Sequence, residues 1–375
     1  MSLTMDEVRN TTGTNGFNAI STFAGCGGNS TGHRLAGFKM LYANEFIPAA
    51  VDTYNANKAP YTIVDSSDIR KVTGRSIMKQ TGLGKGELDL LDGSPPCSAF
   101  STAGTRQKGW GKEKSYSDGA TQVVDDLFFE FTRILKELQP KAFVAENVTG
   151  LVKGASKGYF KKILNALKSC GYQVRAFVID AHRVGVPQER QRLIFIGARN
   201  DLNKQPTPPT PYGKVRAIKD VGSYIIGAGN GTLGLDGAGN GSFDRGVRSA
   251  QRPIGTFGSQ ITFPNSRSPS GYLITSPTDD PFASFIDPET GKSLKLGDNK
   301  YDNYFRARAH NAFGANTLCR MITLKEAREF CGFPTDFELT GTYKQRLERL
   351  GRAVPPLMMK AISAHVRDTI LIPGK

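Results

Sequence analysis

No stretch of this 375-residue sequence stays apolar for the roughly 18 residues that a membrane-spanning helix needs. Histidine is scarce, with four in the whole chain, and none is spaced as part of a metal ligand set. The five cysteines (Cys26, Cys97, Cys170, Cys319 and Cys331) are odd in number and include no Cys-x-x-Cys pair. That pattern argues against a disulfide framework and against a zinc site, so a reducing, intracellular setting without metal is expected. The opening MSLTMDEVRNTTGTNG is polar and lacks the apolar core of a secretory signal. A cytoplasmic protein, nucleoid-associated if bacterial, is the expectation. Internal repeats are absent too.

What the chain has in excess is positive charge: 49 Lys and Arg stand against 34 Asp and Glu, a formal net charge of +15. Such an excess suits a polyanionic partner, because each neutralised phosphate releases counterions. A basic protein with no nucleic-acid role is the competing reading, and charge alone leaves the two level. At 38% hydrophobic and 22% charged, the composition is that of a globular protein long enough for two domains.

Through residue 200, short apolar runs alternate with helical stretches. The runs are 18–23 (NAISTF), 40–43 (MLYA), 61–64 (YTIV), 88–91 (LDLL), 142–145 (AFVA), 173–179 and 193–197. Helices are expected up to Leu35, around 49–56, over 123–138 and over 159–167. The third shows Leu127, Phe128, Phe131, Ile134, Leu135 and Leu138 at helical spacing. Strand and helix in alternation predict a doubly wound α/β fold around a mostly parallel sheet. From about Asp201 the character changes to a proline-rich junction, QPTPPTPYG, and a glycine-rich stretch over 222–241. Helical periodicity returns only near Thr323, so residues 201–320 read as a second, irregular, loop-rich domain. The last segment, with a helix over 361–372, is expected to pack back on the first domain.

Chemistry-bearing residues cluster where the predicted strands end. Phe23, Gly25, Cys26, Gly27 and Gly28 follow the first strand and open a helix, a context in which glycines let a ligand approach the backbone. The dinucleotide fingerprint fails, because its third glycine falls on Ser30. Glu45 ends the second strand, placed to accept hydrogen bonds from a ribose diol. Asp68 follows the third, where a carboxylate suits an adenine amino group. Each acid alone is more often a surface cap, but the three strand ends together suit an adenosyl ligand.

Asp92-Gly93-Ser94-Pro95-Pro96-Cys97 ends the fourth strand. An isolated cysteine is usually a small buried hydrophobe. Here two prolines hold the thiol rigidly at the strand edge, and a polar stretch with Arg106, Lys108, Lys112 and Lys114 follows as a basic loop able to close over a nucleic acid. Glu146-Asn147-Val148 ends the fifth strand, where partial desolvation would raise the carboxyl pKa. In Gln188-Glu189-Arg190-Gln191-Arg192, alternation puts both arginines on one strand face. Two arginines entering a buried sheet should require an anion.

Taken in order, these elements resemble the C5-cytosine-specific DNA methyltransferase family. The resemblance is carried by Phe23 to Gly28, Pro96-Cys97, Glu146-Asn147-Val148 and the Gln-x-Arg-x-Arg element at 188–192. Arg320 to Pro334 and Gly351-Arg352-Ala353-Val354-Pro355-Pro356 complete it. Any one motif is a modest signal, but six in order along the chain are specific. The resemblance implies a catalytic domain over 15–200, a target-recognition domain over 201–320 and a return segment over 321–375. It implies Cys97 as nucleophile, Glu146 as the acid at cytosine N3, and Arg190 with Arg192 holding the reacting groups. It also implies S-adenosylmethionine held by Phe23, Gly25, Cys26, Gly27, Gly28, Glu45, Phe46, Asp68, Ile69, Pro96 and Ala353. Double-stranded DNA is the implied partner, with one cytosine flipped out. The enzyme would act as a monomer, in a setting such as a restriction–modification system.

A transfer-RNA cytosine-5 methyltransferase shares the catalytic residues but lacks so long a segment at 200–319. A catalytically impaired DNA-binding regulator would not keep Cys97, Glu146, Arg190 and Arg192 together. An amino-group methyltransferase would want Asp/Asn-Pro-Pro-aromatic at Ser94 to Cys97, and the missing third glycine disfavours an NAD oxidoreductase. The one clear departure from the family is Arg352, where asparagine is usual. A cation close to a sulfonium repels it by about 1–4 kcal/mol. The Arg352 side chain is therefore expected to turn away while its backbone holds the turn.

Overall fold

A computed structural model describes residues 3–96, 126–213 and 323–372, and between them 113–115, 121–123, 216, 233–235, 247–249, 272–275, 289, 291, 293, 307 and 318–321. The predicted alternation is present from the start. The series runs α1 (Met5–Thr11), β1 (Asn18–Thr22), α2 (Gly28–Leu35), β2 (Lys39–Asn44), α3 (Pro48–Asn57), β3 (Ile63–Asp65), α4 (Gly74–Thr81) and β4 (Leu90–Gly93). After β5 (Glu113–Ser115) and β6 (Thr121–Val123) come α5 (Leu127–Leu138), β7 (Ala142–Val148), α6 (Lys157–Ser169), β8 (Tyr172–Asp180) and β9 (Gln191–Arg199). The helix expected from residue 123 begins only at Leu127, since Val123 pairs with Glu113 in an antiparallel ribbon.

Seven strands form one sheet in the order β3-β2-β1-β4-β7-β9-β8. The five from β3 to β7 pair in parallel, as right-handed strand–helix–strand units require. β9 runs antiparallel to both of its neighbours, so the sheet is mixed rather than wholly parallel. The link from β8 to β9 spans only residues 181–190, with a turn over Ala181–Val184 ended by Gly185, too short for the crossover that a parallel pair needs.

Side-chain alternation along each strand supplies the two apolar faces. Phe143 and Phe195 pack beneath Phe128, Phe131 and Leu135 of α5 on one face. Their chain neighbours Val144, Ile194 and Ile196 face the other way, against Met358, Met359 and Ile362 of the C-terminal segment. Full burial of a side chain of this size contributes about 1.5–3 kcal/mol, which makes this sandwich the main source of rigidity. The C-terminal segment comprises α7 (Leu324–Phe330), α8 (Tyr343–Arg352) and α9 (Pro356–Val366). Its helices start on signals legible in sequence: Thr323 with Glu326, and Thr342 with Gln345, each form a capping box. The segment lies against the first sheet through Met358, Met359 and Ile362. The helix expected over 361–372 instead starts at Pro356 and finishes in a wider turn over Arg367–Leu371.

Between the two parts, the segment expected to be irregular contributes a four-stranded antiparallel sheet. It is ordered β11 (Val247–Ser249), β10 (Leu233–Leu235), β12 (Tyr272–Thr275) and β13 (Leu318–Met321).

Register decides what the first sheet can present at its edge. Asn44 and Gly93 both pair with Thr22, and Gly93 pairs with Ala145. The next residue along each strand path, Phe23, Glu45, Ser94 and Glu146, therefore shares one edge of the sheet.

Candidate functional site

At the β1 end the chain turns abruptly. Phe23 has φ 54° and Gly25 φ 56°, and for phenylalanine that left-handed backbone is strained. Strain of this kind costs about 1–3 kcal/mol and persists only where the surroundings enforce it. A β-carbon added at Gly25 would meet nothing within 4 Å, so its backbone looks onto open space. At Gly28, the first residue of α2, a β-carbon would collide with the Val354 carbonyl oxygen, so glycine is needed for the C-terminal turn to come this close. Gly27 caps the helix in a left-handed conformation.

Glu45 is buried, yet its carboxylate is held from two sides. Oε2 accepts from the Gly25 amide at 2.7 Å and Oε1 from the Ile47 amide at 2.8 Å. Burial raises its pKa, while those amides and Arg349 oppose the shift. The β1 and β2 ends are thus tied into one cradle, with Phe23 and Phe46 half-buried on its rim. Other expected contacts sit differently. The Cys26 thiol is buried among α1, α7 and α8, and burial pushes its pKa up to about 12, so only its backbone is available. Asp68 accepts from the Arg70 amide and pairs with the Arg70 guanidinium at 3.2 Å, so its carboxylate is engaged within its own turn. The Ile69 side chain lies in the main core.

Glu146 and Arg192 meet across β7 and β9. Glu146 pairs with Ile194 and Val148 with Arg192, which makes Glu146 and Arg192 diagonal neighbours on one face. Their side chains form an ion pair at 2.8 Å. Burial raises the Glu146 pKa, against Arg192, Arg190 and a hydrogen bond from Ser94, and Asp92 adds to the rise. The carboxyl therefore sits nearer to proton exchange than an exposed glutamate.

The two arginines, inseparable in sequence, part company here. Arg190 is 1% exposed, and its Nη2 donates to the carbonyl oxygens of Gly351 and Ala353, both at 2.8 Å. These two carbonyl bonds fix the C-terminal turn against the sheet. Arg352 in that turn reaches back to Glu348, with Nε at 2.8 Å from Oε1. Its cation is directed back along α8, onto a carboxylate of its own helix.

Pro96 is half-buried, and the chain just before it is anchored by Asn147, whose Nδ2 donates to the Pro95 carbonyl oxygen at 3.2 Å. Cys97 and the basic positions Arg106, Lys108 and Lys112 lie outside the described residues. Asn147 and Ser94 stand inside motifs legible in the sequence, which gives neither of them a role of its own at this edge. Their signal was position alone: a polar residue one step before or after a strand-end residue already singled out. Among the described residues no helix is long and apolar enough to cross a membrane. Also among them, no group of three or more His, Cys, Asp or Glu is placed to hold a metal ion.

The chain is 29% identical over 361 residues to the Type II methyltransferase M.NgoPII of Neisseria gonorrhoeae, covering 94% of this chain and 95% of that protein. Over 379 residues it is 30% identical to the Type II methyltransferase M.XorII of Xanthomonas oryzae pv. oryzae, covering 94% and 84%. The fold is shared with a Spodoptera frugiperda DNMT2 variant at TM-score 0.62 and 18% identity, covering 95% of this chain and 100% of that one. It is shared also with the S. pombe Dnmt2 methyltransferase at TM-score 0.58 and 16% identity, covering 95% and 98%. A family model described as C-5 cytosine-specific DNA methylase matches residues 17–367, and to that family this chain belongs.

Proposed function

We propose that the protein methylates carbon 5 of a cytosine flipped out of a specific double-stranded DNA sequence, with Cys97 as covalent nucleophile. The observation that carries this reading is the Glu146–Arg192 pair, set one register step from the Ser94-Pro95-Pro96 path that leads to Cys97. Cytosine C5 is a poor nucleophile, so electrons must first enter the ring. The Cys97 thiolate adds to C6 while Glu146 hydrogen-bonds and protonates N3, which turns C5 into an enamine carbon. Arg192 holds the Glu146 carboxyl, and Arg190 holds the turn at Gly351 and Ala353 against the same edge. S-adenosylmethionine, when bound, supplies the methyl group. Loss of the C5 proton then expels Cys97 and restores aromaticity.

The cradle fits that cofactor. Open space above Gly25, the anchored Glu45 carboxylate as an acceptor for ribose hydroxyls and the apolar rings of Phe23 and Phe46 suit an adenosine. Gly27, Gly28, Pro96 and Ala353 line its approaches, and Asp68 and Ile69 contribute through backbone more than side chain.

Residues 201–320 choose the target in this reading, and the catalytic domain and return segment do the chemistry. Methylation of genomic DNA followed by bisulfite sequencing tests activity and target together. A single recurring methylated motif is expected, and replacing 201–320 with a relative's segment should move it. Scattered or absent methylation contradicts the reading, as does a hybrid that keeps the original target.

A further inference from the structure

Behind Glu146 lies a buried polar cluster that the reaction scheme does not use. Asp92, the penultimate residue of β4, is fully buried beside Ser21, Asn29 and His33. Ser21 Oγ donates to Asp92 Oδ2 at 2.7 Å, and His33 Nε2 lies 3.5 Å from the same oxygen. The other ring nitrogen of His33 is 2.7 Å from Ser363 Oγ on α9, which in turn donates to the Met359 carbonyl oxygen. Asn29 Nδ2 stands 3.1 and 3.0 Å from the two Asp92 oxygens and 2.9 Å from Ser94 Oγ. Ser94 follows Gly93, which pairs with Ala145, so Ser94 and Glu146 stand side by side at the sheet edge.

These contacts have a direction. A carboxylate only accepts, so Asp92 forces the Asn29 amide to present its NH₂ group. The second proton of that group then occupies an acceptor lone pair of Ser94 Oγ. The Ser94 proton is then free for an acceptor at this edge, and the Glu146 carboxyl is the neighbouring one. An asparagine and a histidine four residues apart on one helix face, both buried, cost free energy unless every group is satisfied. Their placement beneath a strand-end glutamate gives that cost a use.

We propose that Asp92, Asn29 and Ser94 form a hydrogen-bond relay that orients the Glu146 carboxyl, making Asn29 and Asp92 positioning residues for proton handling at that group. The inference rests on the reading of Glu146 as the group that protonates cytosine N3. Around Glu146 the charged and titratable groups are Arg192 on β9, Arg190 just before it and Asp92 at the end of β4, with the Ser94 hydroxyl between. Ser94 favours the ionised carboxyl and Asp92 disfavours it, so removing them should act in opposite senses.

The test uses the full-length enzyme in single turnover on its DNA substrate, with thermal melting and cofactor binding recorded for every variant. Ser94→Ala and Asn29→Leu should each slow turnover by about tenfold, the scale of one hydrogen bond to a charged group, with substrate KM and cofactor Kd little changed. The double variant should be no slower than Ser94→Ala alone, because the two act in series. Ser94→Thr, which keeps the hydroxyl, should restore most of the rate. The alkaline limb of the rate profile should move up in Ser94→Ala and down in Asp92→Asn. Additive losses, an unmoved alkaline limb in folded variants, or losses confined to KM would overturn the relay. Glu146→Gln separates the two levels. If it keeps near-wild-type turnover, the catalytic reading of Glu146 itself fails; if it is inactive while the relay variants are normal, only the relay fails.

Discussion

Around Phe23 and Glu45 the edge of the sheet is shaped by backbone, whereas around Glu146 it is shaped by paired charges. The first region relies on left-handed turns at Phe23 and Gly25 and on amides that grip the Glu45 carboxylate. The second relies on an ion pair and on side chains that reach across strands, such as Glu146 with Arg192 and Asn147 with the Pro95 carbonyl. A backbone cradle suits a cofactor that is the same in every turnover. Charges poised in a low-dielectric setting suit a step in which a proton must move. Substitutions in the two regions should therefore fail differently, in chemistry on one side and in stability or cofactor affinity on the other.

The sharpest break belongs to the chemical side. Cys97→Ser should lower methyl transfer on the order of 10⁴-fold or more, as removal of a nucleophile does. Cofactor and DNA binding, measured by calorimetry and gel shift, should survive. Next comes Glu146→Gln, which keeps a hydrogen-bonding group beside Arg192; truncation to alanine would leave the buried Arg192 charge unpaired at a cost of about 3–5 kcal/mol. The glutamine variant should slow turnover by roughly 10²-fold or more, with cofactor affinity little changed. A collapse of cofactor binding would assign Glu146 to structure and erase the contrast.

On the cradle side, Gly28→Ala pushes a β-carbon into the Val354 carbonyl oxygen. Overpacking of that kind costs about 1–3 kcal/mol, so the melting temperature and cofactor affinity should fall together. An unchanged Tm would show that the C-terminal turn is not pressed against α2. The smallest effect is expected at Arg352, whose guanidinium already pairs with Glu348. Arg352→Asn should change cofactor affinity by less than about tenfold, or about 1.4 kcal/mol, since the pair with Glu348 already directs the charge back along α8. A larger gain would mean that the arginine impairs the site.

Much of this was legible in the chain itself. Apolar runs such as 142–145 marked the strands, and Leu127, Phe128, Phe131, Ile134 and Leu135 marked α5, because burial imposes a period on sequence. The orientation of β9 was not legible: 193–197 is as apolar as a parallel strand, and only the short link over 181–190 requires the reversal. The division of labour between Arg190 and Arg192 was equally hidden. It depends on carbonyls about 160 residues away at Gly351 and Ala353, which no local pattern encodes. Asp68 looked like a ligand for an adenine, but Arg70, two residues on, takes up its carboxylate.

The central claim is a covalent bond between Cys97 and the target base. DNA carrying 5-fluorocytosine at the target position tests it directly, because fluorine at C5 cannot leave as a proton does and the adduct cannot resolve. With S-adenosylmethionine present, the wild-type enzyme should form a protein–DNA complex that survives denaturation, and the Cys97→Ser variant should form none. An active wild-type enzyme that yields no such complex would contradict the account, as would an adduct that persists without Cys97.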